Sequence, residues 1–252
     1  MCSVRKNVSK RIPRIKNKKY LIAATACFAV FELAVVYCMY NISFSLFSYI
    51  CIITSCLFCA LISDGSRSWL FTQIGLIGTV GADFFLVFLP TQQRVPGMLF
   101  FCTTQIAYFL RIWSEDRNRT RKTVHLIVRA VASIAILVIT PIVLGSRLDA
   151  ISMISVFYYV NLICNLIFAF CNFRQSGLFA LALLAFAFSD TIIGFQSLSS
   201  YFLIPRGSFI FHAIQFGKGI FYPLYICSQI SIPISVAFRK RHEASPDKTE
   251  SA

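Results

Sequence analysis

The stretch Leu181-Ala-Leu-Leu-Ala-Phe-Ala-Phe-Ser-Asp190-Thr-Ile-Ile-Gly194 places one carboxylate in the middle of a longer apolar run, 178–198. A run of that length fits a membrane-spanning helix, which needs about 20 mostly apolar residues to cross a hydrocarbon core about 30 Å thick. An ionised carboxylate near the bilayer centre costs roughly 2.5–3.5 kcal/mol on insertion scales, so Asp190 is expected to face water, a partner or a substrate. The same arrangement recurs in Gly75-Leu-Ile-Gly-Thr-Val-Gly-Ala-Asp83-Phe-Phe-Leu-Val-Phe88. These two aspartates are the first candidates for function.

The rest of the chain agrees with a spanning reading. Of its 252 residues 57% are hydrophobic and 13% charged, and the mean hydropathy is +0.72, which excludes a soluble domain. The expected fold class is all-α, a polytopic membrane bundle of eight transmembrane helices at about 20–40, 45–62, 69–89, 97–113, 124–144, 151–171, 178–198 and 208–238. The second and fourth are short, and the eighth is long and carries Pro223 and Pro233. The corresponding division is a basic cytoplasmic tail (1–19), a transmembrane domain (20–238) and a disordered cytoplasmic tail (239–252). The leading tail is too long and basic for a typical cleaved signal, so the first helix is expected to remain as a span.

Basic residues set the expected orientation, because positively charged loops stay on the cytoplasmic side during insertion. Eighteen of the 24 lysines and arginines fall in the two tails and in the loops after the second, fourth and sixth helices, against three on the opposite side (Arg94, Arg147 and Arg206). Both termini are therefore expected in the cytoplasm. The net charge of +14 reads as topology and attraction to anionic headgroups, with the bilayer as partner. No nucleic-acid partner is expected, since the basic residues flank helices without a base-stacking motif. The oligomeric state is open.

Nine of the ten cysteines lie inside expected spans, which makes a disulfide framework improbable. Cys56-Leu-Phe-Cys59 is formally a CxxC, but in an apolar helix without partner histidines it reads as small packing residues. No metal site or cofactor is expected. Phosphate-binding glycine loops, nucleophile elbows and zinc-hydrolase motifs are lacking from the sequence.

With the expected orientation, polar residues converge on one depth. Glu32, Asp83 and Asp190 on outward-running helices share a level with Gln105, with Tyr158, Tyr159 and Asn161, and with Gln215 and Lys218 on inward-running ones. A polar layer shared by six helices suggests an internal cavity opening toward the outer side. In the eighth segment His212, Gln215, Lys218, Tyr222, Tyr225 and Gln229 follow helical spacing on a single face. The plain alternative is a stripe hydrogen-bonded to neighbouring helices. A buried Lys218 needs a counter-ion, for which Asp83, Asp190 and Glu32 are the acids at its level, and Glu32 reads equally as a purely structural partner. Gly75, Gly78, Thr79 and Ala82 permit close approach of a neighbouring helix beside Asp83.

These residues resemble the YhhN-like family of eight-helix membrane proteins, whose members include lysoplasmalogenases. Gly81-Ala82-Asp83-Phe-Phe-Leu86 is similar to the family's third-helix Gly-Asp motif, Gly177-Leu-Phe179 leading to Ser189-Asp190 to its seventh-helix motif, and Tyr225-Ile-Cys-Ser-Gln229 to its last-helix tyrosine before Ala-Gln. Two departures concern the site. Ala82 replaces the glycine next to the first aspartate, and Thr104-Gln105-Ile-Ala-Tyr108 puts glutamine where the family usually has histidine before a tyrosine. Glutamine cannot shuttle a proton near neutral pH, so if that histidine contributes to chemistry in the family, this chain is expected to be slower, to use His212 instead, or to have lost activity.

The resemblance implies an integral membrane hydrolase that cleaves the vinyl ether of a lysoplasmalogen, a lysophospholipid, to a fatty aldehyde and a glycerophospho-alcohol. Asp83 and Asp190 would be the catalytic pair, one protonated as general acid and the other ionised, with the assignment between them open. Lys218, Gln105, Tyr108, Ser189, Tyr225, Gln229, His212 and Glu32 would bind substrate or support the acids. The expected location is a bacterial cell membrane, or an endomembrane in a eukaryote. Two other readings keep the acids: a small proton-coupled transporter or lipid-handling protein, and a noncatalytic packing factor in which the acids tolerate asparagine.

Overall fold

In the computed structural model, residues 18–91, 93–199, 201–217 and 220–238 are described. Among them all regular structure is helical: α1 (Lys18–Asn41), α2 (Phe44–Leu61), α3 (Arg67–Asp83), α4 (Arg94–Glu115), α5 (Arg119–Leu144), α6 (Ala150–Cys171), α7 (Phe173–Leu198), α8 (Phe209–Gly217) and α9 (Phe221–Ala237). The first seven are long and apolar enough to cross a membrane, and α8 with α9 would make an eighth crossing. The expected tails lie almost wholly outside the described residues.

Helix starts follow capping chemistry. The Ser66 hydroxyl accepts from the Trp69 N–H at 3.1 Å, and the Asn118 side chain accepts from the Arg121 N–H at 3.2 Å. Asp149 opens α6 with a reciprocal capping box to Ser152, satisfying backbone donors that would otherwise be orphaned at a membrane boundary. Hydrogen bonds from Ser152, side chain first and backbone N–H second, hold the Asp149 carboxyl below the usual carboxylate range. Tyr201 donates to both of its oxygens at 3.0 Å.

Large apolar side chains cover the outside of the bundle, among them Leu33, Val131, Ile134 and Ile142. That distribution suits a hydrocarbon solvent. Helix α5 sits at the rim with most of its apolar residues outward. Helices α3 and α4 share the most extensive contact of any helix pair, for a reason visible in the sequence. A Cβ at Gly75 would overlap the Tyr108 ring, one at Gly78 would lie 2.5 Å from the Thr104 hydroxyl, and one at Gly81 would lie 2.6 Å from the Phe100 ring. The missing side chains let the helices approach until Thr104 donates across to the Gly75 carbonyl at 3.1 Å.

Two elements depart from continuous helices, of which only the eighth carries marks of interruption in the sequence, its prolines with Gly217 and Gly219. The third ends its α-helical part at Asp83 and continues as a π-helical turn, Phe84–Phe88. The eighth segment is a bent pair, α8 and α9, inclined by 63°. Pro223 occupies the first turn of α9, where its missing N–H costs no helical hydrogen bond. The single polar face expected along 208–238 is therefore split between two helices pointing in different directions.

Candidate active site

Asp83 closes α3, where the following π turn re-aims the backbone. It is 2% exposed and accepts a hydrogen bond from the Tyr225 hydroxyl of α9 at 2.7 Å. Asp190 on α7 accepts from the Tyr158 hydroxyl of α6. The two carboxyls lie near enough to interact electrostatically, and Tyr225 is in electrostatic range of both acids and of Tyr158. A run of rings joins the two halves: Tyr158 to Phe101 at 5.5 Å, Phe101 to Phe186 at 6.1 Å and Phe186 to Tyr225 at 5.6 Å between centroids. Helices α3, α4, α6, α7 and α9 thus converge on two carboxyls, each held by one phenol. Aromatic walls with a few converging polar groups are the usual make-up of a small-ligand site.

Ser189 is fully buried, and its hydroxyl lacks a hydrogen-bond partner among the described residues. Gln229, also fully buried, donates to Ser228 at 3.3 Å, while Ser228 donates to the Tyr225 carbonyl at 2.6 Å. This chain of contacts supports the helix turn that carries Tyr225. Tyr108 is buried against Gly75 and edge-on to Phe179 at 5.4 Å, a packing position between α3, α4 and α7.

Four expected participants, His212, Lys218, Glu32 and Gln105, stand elsewhere or outside the described residues, as does Gln215 of the expected polar layer. His212 and Gln215 are exposed on α8, and Gln215 helps line a cleft of about 460 Å³ with Gln196, Phe202, Ile204 and Phe211. The bend before α9 separates them from Tyr225 and Gln229. Lys218 lies outside the described residues. Glu32 is buried between α1 and α2, where the Thr54 hydroxyl donates to it.

Gln105 belongs to a different polar centre. Asn165 of α6 donates to its backbone carbonyl and its side-chain oxygen, each at 2.9 Å. Asn165 in turn accepts from Arg129 of α5, which also donates to Asn161 at 2.5 Å and meets His125 Nε2 at 3.2 Å. Sequence reasoning overlooked this centre and left Tyr158 outside the site. The signal was the polar stripe Tyr158, Asn161 and Asn165 on α6, with His125 and Arg129 four apart on α5.

The model of the YhhN family matches residues 44–236. The chain belongs to the YhhN family. The match runs from the start of α2 to the penultimate residue of α9, so it takes in both aspartates and both phenols of the candidate site. Neither a curated protein nor a solved structure matches the chain.

Proposed function

We propose that this YhhN-family protein hydrolyses the vinyl ether bond of a lysoplasmalogen within the membrane, with Asp83 and Asp190 as its acid and base. The observation that carries the reading is the convergence of two intramembrane carboxyls, each held by a tyrosine, in one aromatic-walled site. A vinyl ether needs this equipment. One carboxyl delivers its proton to the β-carbon, and the resulting oxocarbenium is stabilised by the negative charge of the other. That second carboxylate takes a proton from water as the water oxygen adds to the α-carbon. The hemiacetal then collapses: the carboxyl that took the water proton gives it to the departing glycerol oxygen, the first carboxylate takes the hemiacetal O–H proton, the bond to the glycerol oxygen breaks and the aldehyde is freed, with both acids restored. Tyr158 and Tyr225 orient the carboxyls, and Ser189 offers an uncommitted buried hydroxyl beside Asp190 for the water or the ether oxygen.

Aldehyde release from matched lysophospholipids tests this. The purified protein is expected to act on the 1-alkenyl lipid and to leave the 1-alkyl and 1-acyl analogues intact, because only the alkenyl carbon accepts a proton. Equal turnover of the acyl lipid, or none of the alkenyl lipid, would overturn the reading. The bent α8–α9 pair favours a second one, a proton-coupled carrier, since broken helices recur in transporters. Solute uptake driven by a proton gradient in liposomes, without aldehyde release, would establish it.

A further inference from the structure

Arg129 is a buried cation with no carboxylate partner among the described residues. It is 9% exposed, and the ion pairs found among the described residues, Arg111 with Glu115 and Arg121 with Asp116, do not include it. Its contacts are neutral: the amide oxygens of Asn161 and Asn165, the imidazole of His125, and the face of Phe109 at 4.4 Å. Neutral acceptors satisfy N–H groups but leave the charge uncompensated, which is costly at this depth. The same centre also has spare donors. Arg129 Nε and Gln105 Nε2 are both buried without a hydrogen-bond partner. A positive charge combined with unfilled donors calls for an anionic acceptor, and guanidinium with amides suits a phosphate or carboxylate oxygen.

Position along α6 narrows the choice. Tyr158, which holds Asp190, lies one turn from Asn161 and two turns from Asn165, a rise of roughly 5–10 Å at about 1.5 Å per residue. In a lysoplasmalogen about seven bonds separate the phosphorus from the β-carbon of the vinyl ether, roughly 9 Å when extended. We propose that Arg129, positioned by Asn161 and Asn165 beside Gln105, is the subsite for the phosphodiester of a lysophospholipid whose ether-bearing carbon lies at the acid pair. This rests on the lysophospholipid reading above. The headgroup then points toward the end of the bundle carrying the α4–α5 and α6–α7 connections, the end that the charge bias assigns to the cytoplasm.

The test measures binding of two ligands without a vinyl ether, a 1-O-alkyl lysophospholipid and the 1-O-alkylglycerol of the same chain length, to the full-length protein in detergent. The phosphate-bearing lipid is expected to bind about tenfold or more tightly, and Arg129→Gln is expected to abolish that preference while leaving alkylglycerol binding unchanged. Arg129→Lys retains part of it. A preference that survives in Arg129→Gln overturns the subsite, as does equal binding of both lipids to the unmodified protein, which decides the matter even if the variant fails to fold. Inorganic phosphate provides a further arm. Binding as tight as that of the lipid would make this a free-anion site and overturn the lipid assignment. Phosphate preference without aldehyde release would retain the subsite and remove the hydrolase reading. Equal aldehyde release from a phosphate-free alkenylglycerol would do the reverse.

Discussion

At the residue scale, the site combines two acids with two phenols, and each has a separable contribution. Tyr225 donates to Asp83 and Tyr158 to Asp190, so Tyr225→Phe and Tyr158→Phe each remove one oriented hydrogen bond while preserving the ring packing. Each is expected to lower the rate of aldehyde release about tenfold, since a net hydrogen bond of about 1.5 kcal/mol to a charged group corresponds to that factor. Outside the membrane, Asp149 makes a prediction in which pH decides the sign. Its carboxyl is held below its ordinary value by Ser152, so its stabilisation is present above the unfolded-state value and is lost as pH falls through the lower folded-state value. Asp149→Ala is expected to destabilise at neutral pH by about 0.5–2 kcal/mol, near the low end because the carboxyl is exposed. Unfolding curves of the variant and the unmodified protein should converge in strong acid. A constant gap would assign the effect to packing.

At the element scale, α3 and α4 depend on what their glycines omit. Gly75→Ala would drive a Cβ into the buried Tyr108 ring, and an expected loss of about 1–3 kcal/mol should appear as a lower thermal midpoint in detergent. Gly194→Ala, with nothing within 4 Å of the new methyl, serves as the control and should leave the midpoint unchanged. This contact is readable from the sequence, because small residues spaced along one helix announce a close neighbour. The spanning helices and the two acids are readable for the same reason, since a bilayer admits few alternatives to a long apolar helix. The break between α8 and α9 is readable in part, since the prolines with Gly217 and Gly219 mark an interruption but not the change of direction. His212, Gln215, Tyr222, Tyr225 and Gln229 keep helical spacing through a change of direction, and periodicity carries no information about whether the axis is continuous. Nor does sequence show that Gln105 turns toward Asn165 and Arg129, because side-chain partners across helices are set by rotation about each axis. The π turn after Asp83 has no compositional mark in Phe84-Phe-Leu-Val-Phe88.

At the scale of the whole molecule, two polar centres occupy one apolar bundle. The acid pair lies among α3, α4, α6, α7 and α9, and the Arg129 centre among α4, α5 and α6, with α4 and α6 common to both. A separate set of contacts ties the bundle together: Arg111 donates to Thr72 at 3.0 Å and to Ser235 at 2.9 Å, and lies over the Phe179 ring at 3.8 Å. Arg111 therefore joins α3, α4, α7 and α9, the helices that present the acids and Tyr225. Arg111→Met is expected to reduce stability and activity together, by 3–5 kcal/mol or about that order for a broken buried network, measurable as parallel losses of thermal midpoint and turnover. Intact stability with lost turnover would instead place Arg111 in the chemistry. The central claim is that both aspartates act on one vinyl ether. Aldehyde release from a 1-alkenyl lysophospholipid by the purified protein, Asp83→Asn and Asp190→Asn tests it most directly. Each variant is expected to lose about 10²–10⁴-fold in rate while remaining folded, whereas unchanged release by either folded variant would contradict the paired mechanism.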